Sequence, residues 1–240
     1  MVNQNSVKAY LDSNDSEDWK SNQLKTLRRY IRDFLKLGNW INEFKFSGRR
    51  AKVKKSDIPS DNWLAYFCSV LPYGIQMVFL ILLTSGLRVG EVLKLRKDDV
   101  NFETNMVDAS TIHKGDTKSA WISYITYQTA EYLEGFVETQ LDDPDNPKLF
   151  DFSYNTVQEA FKKASIQIGV FIKPHFLRTV FTEKCTQAGI EGKYIDAFCG
   201  RIPKKVLEAN YTVYSPQSLR VQYDKVEDIL VLPFSEDEES

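Results

Sequence analysis

Five cationic positions and one tyrosine recur along this chain in an order that suits attack on a phosphodiester. They are Arg88, a lysine at 114 or 118, His175, Arg178, Arg201 and finally Tyr211. Phosphodiester cleavage needs a nucleophile, neutralisation of charge in the transition state and a proton for the departing oxygen. Arginine suits the second task because it stays protonated and its planar fork matches phosphate oxygens. A phenol, with a pKa of about 10, attacks at neutral pH only where cations stabilise its phenolate. Fixed charges aimed at the reacting phosphate supply most of the catalysis in such a site. Enough converging cations make a metal unnecessary, so neither a metal nor a cofactor is expected.

The local strings are informative. Arg88 lies in Thr84-Ser85-Gly86-Leu87-Arg88-Val89-Gly90-Glu91, with Glu91 three residues on and on the same helical face. His175 and Arg178 share Lys173-Pro174-His175-Phe176-Leu177-Arg178, where Pro174 fits a helix start and the i,i+3 spacing aligns both side chains. Arg201 follows Gly200, and Tyr211 lies ten residues after Arg201 and 33 after Arg178. Tyr214, three residues further along, competes with Tyr211 for the nucleophile's place; spacing favours Tyr211. The lysine has two candidates within Lys114-Gly115-Asp116-Thr117-Lys118, and Lys114 is narrowly preferred. Each string alone is weak and reads equally well as a surface Arg–Glu pair, a capping histidine or a solvated turn. Their order and intervals carry the argument.

In that order and spacing the chain resembles the catalytic domain of tyrosine recombinases (phage-type integrases), and is most similar to integrases of archaeal viruses and plasmids. The resemblance covers roughly residues 57–234. It implies that Arg88 and Arg178 clamp the scissile phosphate, with Glu91 supporting Arg88. His175 donates a hydrogen bond or shuttles a proton. The lysine protonates the leaving 5′ oxygen, and Tyr211 forms a 3′-phosphotyrosyl bond. It further implies site-specific strand exchange at double-stranded DNA attachment sites, for integration or excision of a mobile element. The assembly would be a homotetramer on DNA, and a monomer or dimer in solution. Two departures stand out. Thr179 occupies the place where a second histidine is common, and Arg201 stands where most relatives have histidine or tryptophan. An arginine there donates to a phosphate but cannot act as a base. The rival readings are a recombinase-derived DNA-binding protein without strand exchange and a type IB topoisomerase-like relaxing activity.

These residues need a frame to hold them. The pattern predicts a mainly α fold with one small β-hairpin. Residues 1–18 look frayed. A helix is expected from about Asp18 or Trp19 to Leu37, with Leu24, Leu27, Ile31 and Leu35 on its apolar face and Gly38 as its stop. Trp40, Ile41, Phe44 and Phe46 suggest a second short element. One or two helices are expected over 60–83, another over 89–95, then strands over 105–112 and 120–125. Leu141–Pro147 reads as a loop. Further helices are placed near 127–140, 154–168, 175–188, 192–199, 203–213 and 217–230. The resulting division is a short helical DNA-binding region at 1–46, a basic linker at 47–56, a catalytic domain at 57–234 and an acidic tail at 235–240.

Net charge is −2, which does not advertise a nucleic-acid partner, but its distribution does. Residues 20–55 carry twelve Lys or Arg against two acids, a local charge of +10. Within that block Lys25, Arg28, Arg29, Arg32, Arg49, Arg50, Lys52, Lys54 and Lys55 are the candidate contacts to a DNA backbone. Three widely spaced cysteines make neither a disulfide framework nor a zinc pattern and point to reduced thiols inside a cell. No signal peptide or membrane span is read, so a cytoplasmic, DNA-associated protein is expected.

Overall fold

The computed structural model describes residues 2–45, 58–110, 112, 121–140, 147–201 and 214–234. The expected linker at 47–56, Lys114, Lys118, the helix at 203–213, Tyr211 and the tail at 235–240 lie outside the described residues, as do Arg49, Arg50, Lys52, Lys54, Lys55 and Phe46. The chain divides into two compact units, Met1–Asp57 and Ile58–Ser240.

In the first unit, α1 (Gln4–Asp12) overturns the expectation of a frayed start. Asn3 and Ser6 form a reciprocal capping box, which satisfies amide groups that would otherwise lack partners. Val7 and Leu11, one turn apart, are buried with Leu24, Ile31 and Ile41. Helix α2 (Glu17–Arg28) starts on the Ser16 cap and runs into a π-helical turn over Arg29–Phe34 rather than continuing as one regular helix. Its exit passes through Lys36 and Gly38, both with positive φ. A short 3-10 turn, Trp40–Glu43, closes the unit.

In the second unit, α3 (Asp61–Ser69) begins at the Ser60 cap and leads to α4 (Tyr73–Ser85). Ten of the thirteen α4 residues are buried, so this helix is apolar all round and is surrounded by others. Phe67, Phe79 and Phe161 pack ring on ring, with centroids 5.6–6.0 Å apart, and tie α3 and α4 to α7 (Tyr154–Ile168). Short α5 (Val89–Val92) follows the end of α4 and is briefer than the pattern suggested.

The sheet is antiparallel and has three strands, β1 (Val100–Asn101), β2 (Met106–Asp108) and β3 (Ile122–Tyr124), in the order β1-β2-β3. Val100 pairs with Val107, and Val107 with Ser123. The extra strand is only two residues long, too short for a period-2 pattern to reveal. Helix α6 (Tyr127–Glu138) is capped by Thr126, and α8 (Pro174–Gln187) has Pro at its first turn. After α9 (Gly192–Phe198) come α10 (Pro216–Tyr223) and α11 (Glu227–Leu230), where one helix over 217–230 was expected. The break turns Val226 into the core, and Arg220 ion-pairs with both Asp224 and Glu227 across it. Leu219, Tyr223, Val226 and Leu230 are buried against Phe181, Phe198 and Cys185 in a second core. The terminal segment therefore packs on its own unit. Cys68, Cys185 and Cys199 are free and buried. No helix among the described residues is long and apolar enough to cross a membrane.

Candidate active site

The end of α4 is the foundation of the site. A helix leaves its last carbonyls without intrahelical partners, and here three in succession receive donors from three other elements. The Tyr223 hydroxyl of α10 donates to the Thr84 carbonyl at 2.9 Å, and the Ser123 hydroxyl of β3 to Ser85 at 2.6 Å. The Arg178 guanidinium of α8 donates to Gly86 at 2.7 Å. All of these groups are buried, so each bond also avoids the cost of leaving a polar atom dry, about 1–3 kcal/mol. Gly86 itself is left-handed, with φ of 68°. A Cβ there would lie 2.4 Å from the Phe181 ring. Only glycine fits a position that needs both the left-handed backbone and the close approach.

This turn delivers Arg88 to the N-cap of α5. Glu91, 1% exposed, accepts from the Arg88 backbone amide and from its Nη1, each at 2.7 Å. One carboxylate thus fixes both the backbone and the head of the half-buried arginine. Arg178, 2% exposed, makes a second bond from Nη2 to the Cys199 carbonyl. It therefore staples the end of α4 to the end of α9. Burial disfavours its charge, as do the neighbouring guanidiniums of Arg88 and Arg201, while Glu91 opposes them.

Arg201 is placed by the way α9 stops. The Arg201 amide bonds to Asp196 O at 2.8 Å and the Gly200 amide to Ala197 O at 2.9 Å, with Gly200 left-handed at φ 55°. This is a Schellman cap, and it turns Arg201 out of the helix. The Arg201 side chain is exposed and 3.3 Å from Asp196 Oδ1. His175 stands in the first turn of α8, exposed. Its pKa lies below the usual histidine value, first through partial burial and then through the charges of Arg178, Arg88 and Arg201. Three arginines from three separate segments thus act on one imidazole. Positive charge from Arg88 and Arg201 thus bears on both His175 and Arg178, an arrangement suited to a negatively charged group.

The structure brings Arg88, Glu91, His175, Arg178 and Arg201 together. Tyr214 is half-buried, its ring edge-on to Tyr194, and its hydroxyl donates to the Lys193 carbonyl at 3.3 Å. In the first unit Lys25, Arg29 and Arg32 are exposed, but Arg28 turns inward, its Nη2 donating to the Phe44 carbonyl at 2.7 Å. Arg32 pairs with Asp33 at 2.6 Å. The carbonyls of Gly86 and Cys199, which aim Arg178, were not singled out from sequence. Backbone acceptors carry no residue signature, and the two glycines beside them were the available signal. Among the described residues no group of His, Cys, Asp and Glu could hold a metal ion.

The profile of the phage integrase family matches residues 63–213. The tyrosine recombinase XerA of Saccharolobus solfataricus is 27% identical over 150 residues, covering 62% of this chain and 49% of that protein. XerA of Thermococcus onnurineus is 26% identical over 157 residues, covering 62% of this chain and 54% of that protein. The chain thus aligns with about half the length of these relatives. A crystal structure of XerA recombinase superposes with a TM-score of 0.55 at 18% identity, covering 93% of this chain and 83% of that one. The Tn1549 transposon integrase, solved with circular intermediate DNA, gives 0.61 at 14% identity, covering 91% and 82%.

Proposed function

The chain belongs to the phage integrase family of tyrosine recombinases, and from that premise we propose that it cleaves and rejoins DNA at specific sites through a 3′-phosphotyrosyl intermediate. The observation that carries this reading is the convergence of Arg88, Arg178 and Arg201 on His175. Tyr211 attacks the scissile phosphate and the 5′ oxygen leaves. Arg88 and Arg178 neutralise the charge on the non-bridging oxygens, and Arg201 adds a third donor. His175, neutral before DNA binds, donates a hydrogen bond to the phosphate. Lys114, or Lys118 in its place, protonates the leaving oxygen. The 5′ hydroxyl of a partner strand then attacks the phosphotyrosyl bond. Bond energy is kept in the covalent link, so the exchange balances without ATP.

Tyr211 is preferred to Tyr214 by its interval from Arg178 and Arg201, and because the Tyr214 hydroxyl is already committed to Lys193. Residues 57–234 act as the catalytic domain and the basic N-terminal region grips the backbone. Four subunits assemble on two double-stranded sites, and the biological setting is integration or excision of a mobile element, as in archaeal viruses and plasmids.

A plasmid carrying paired candidate attachment sites tests the proposal without added metal. Recombinant circles that depend on both sites support it. Relaxation of a plasmid lacking any site would favour a topoisomerase-like activity instead. Site-dependent binding without cleavage would reduce the chain to a DNA-binding protein.

A further inference from the structure

The π-helical turn at the end of α2 leaves an unusual surface. Ile31 points into the core, while its neighbours Tyr30 and Phe34 are 47% and 74% exposed. Their rings stack in the open, with centroids 5.5 Å apart and planes 14° from parallel. Two recesses adjoin them. One, of about 510 Å3, is lined by Lys25, Thr26, Arg28, Arg29 and Arg32. The other, of about 370 Å3, shares Thr26 and Arg29 and adds Tyr30 and Phe34. Arg29 therefore stands between a cationic recess and an aromatic one. Arg28 forms part of the floor and is spent on Phe44, which leaves Lys25 and Arg29 as the principal outward charges, with Arg32 shared with Asp33. A π turn inside a helix is uncommon and is frequently found at functional sites.

We infer that this face is a DNA contact of two kinds, with Lys25 and Arg29 on a backbone phosphate and the Tyr30–Phe34 pair packed against the deoxyribose beside it. Charge complementarity selects the occupant. A purely apolar partner would leave the cationic recess unpaired, and a purely electrostatic contact would leave two exposed rings unused. Duplex DNA presents both an anion and the apolar face of a deoxyribose within a few ångströms. The inference rests on the reading of the chain as a DNA-acting protein and adds a non-ionic component to it.

The two components separate by salt. Each phosphate contact contributes about 0.9 to the slope of log K against log salt, whereas apolar packing contributes to affinity without contributing to the slope. The test uses the full chain carrying Tyr211→Phe, so that cleavage does not intervene. Binding to a fluorescent duplex of about three helical turns is followed by anisotropy across a series of NaCl concentrations. Arg29→Ala is expected to lower the slope by about one. Tyr30→Ala/Phe34→Ala removes apolar burial and is expected to weaken binding about tenfold at every salt concentration with the slope unchanged. Tyr30→Phe, which keeps the ring, is expected to bind as the parent does. Phe34→Ala alone, at the most exposed ring, gives an effect independent of folding, with circular dichroism as the check. Binding by the double variant within twofold of the parent throughout would overturn the inference while leaving salt-dependent DNA binding intact. Weakened self-association in sedimentation with unchanged DNA affinity would also overturn it and assign the rings to a second copy. If the parent bound no DNA at any salt concentration, the reading of the whole chain would fall with it.

Discussion

Replacing Gly86 by alanine perturbs the one backbone position on which the site is built, and its cost can be worked out in two parts. The left-handed conformation, with φ of 68°, costs an L-residue about 1–2 kcal/mol. The new Cβ would sit 2.4 and 2.6 Å from two carbons of Phe181. That ring is fully buried and edge-on to Phe198, so it has no solvent to swing into. Overpacking of this kind costs about 1–3 kcal/mol. Together these give about 2–5 kcal/mol, or a fall of about 4–20 °C in Tm for a unit of this size. Gly169→Ala is the internal control. Gly169 is also left-handed, with φ of 80°, but a Cβ there meets nothing within 4 Å. It shares the conformational cost and the restriction of the unfolded chain, about 0.4–1 kcal/mol in the opposite sense, so the difference between the variants isolates the Phe181 clash. Urea denaturation followed by circular dichroism reads both, with unchanged m-values as the condition for comparison. DNA cleavage should also fall in Gly86→Ala alone, since its carbonyl aims Arg178. Equal destabilisation by the two substitutions would refute the packing argument.

Other outcomes follow from the same contacts. His175, followed by NMR, titrates below the usual value of about 6.5, and Arg88→Ala or Arg201→Ala moves it upward, because each removes a charge that depresses it. A bound phosphodiester moves it upward as well. Since the folded pKa is the lower one, the unfolded chain takes up the proton first, and His175 withdraws stability as pH falls through about 6.5 toward the folded value. Arg178→Lys keeps the charge but cannot reach both the Gly86 and Cys199 carbonyls and still face a phosphate; cleavage falls about 10²–10³-fold while the circular dichroism spectrum is retained. Lys184, 6% exposed, joins Asp61 at 2.6 Å to the Ile229 carbonyl at 2.5 Å. Lys184→Met strands that carbonyl and costs about 1–3 kcal/mol in urea denaturation.

Much of this arrangement was legible because local chemistry and tertiary structure agree. Ser60, Thr126 and Ser153 cap the helices that follow them, Pro174 opens α8 and Gly169 closes α7. The spacing of His175 and Arg178, and of Arg88 and Glu91, matches their places at the starts of α8 and α5, which puts four candidate residues on two helix starts. What escaped was decided by contacts at long range or by very short elements. The Asn3–Ser6 capping box and the pairing of Val7 with Leu11 make a helix from a segment whose polarity suggested fraying. A two-residue strand has no period, and the break between α10 and α11 depends on Arg220 reaching two acids and on a core that takes in Val226. Charge counting could not tell that Arg28 faces inward while Arg29 faces out, because that depends on where Phe44 returns. Nor could it find the carbonyls at 84, 85 and 86, which become a foundation only once α8, α10 and β3 converge on them.

Attack by a tyrosine on a phosphate held by Arg88, Arg178 and Arg201 can be caught by trapping the protein on nicked suicide duplexes bearing candidate attachment sites and mapping the adduct by mass spectrometry. The expected product is a nucleotide joined through its 3′ phosphate to Tyr211, stable in denaturant, formed without added metal and absent in Tyr211→Phe. An adduct that persists in that variant and maps to Tyr214 would contradict the assigned nucleophile. A cognate duplex that is bound but never joined to the protein would contradict the chemistry itself.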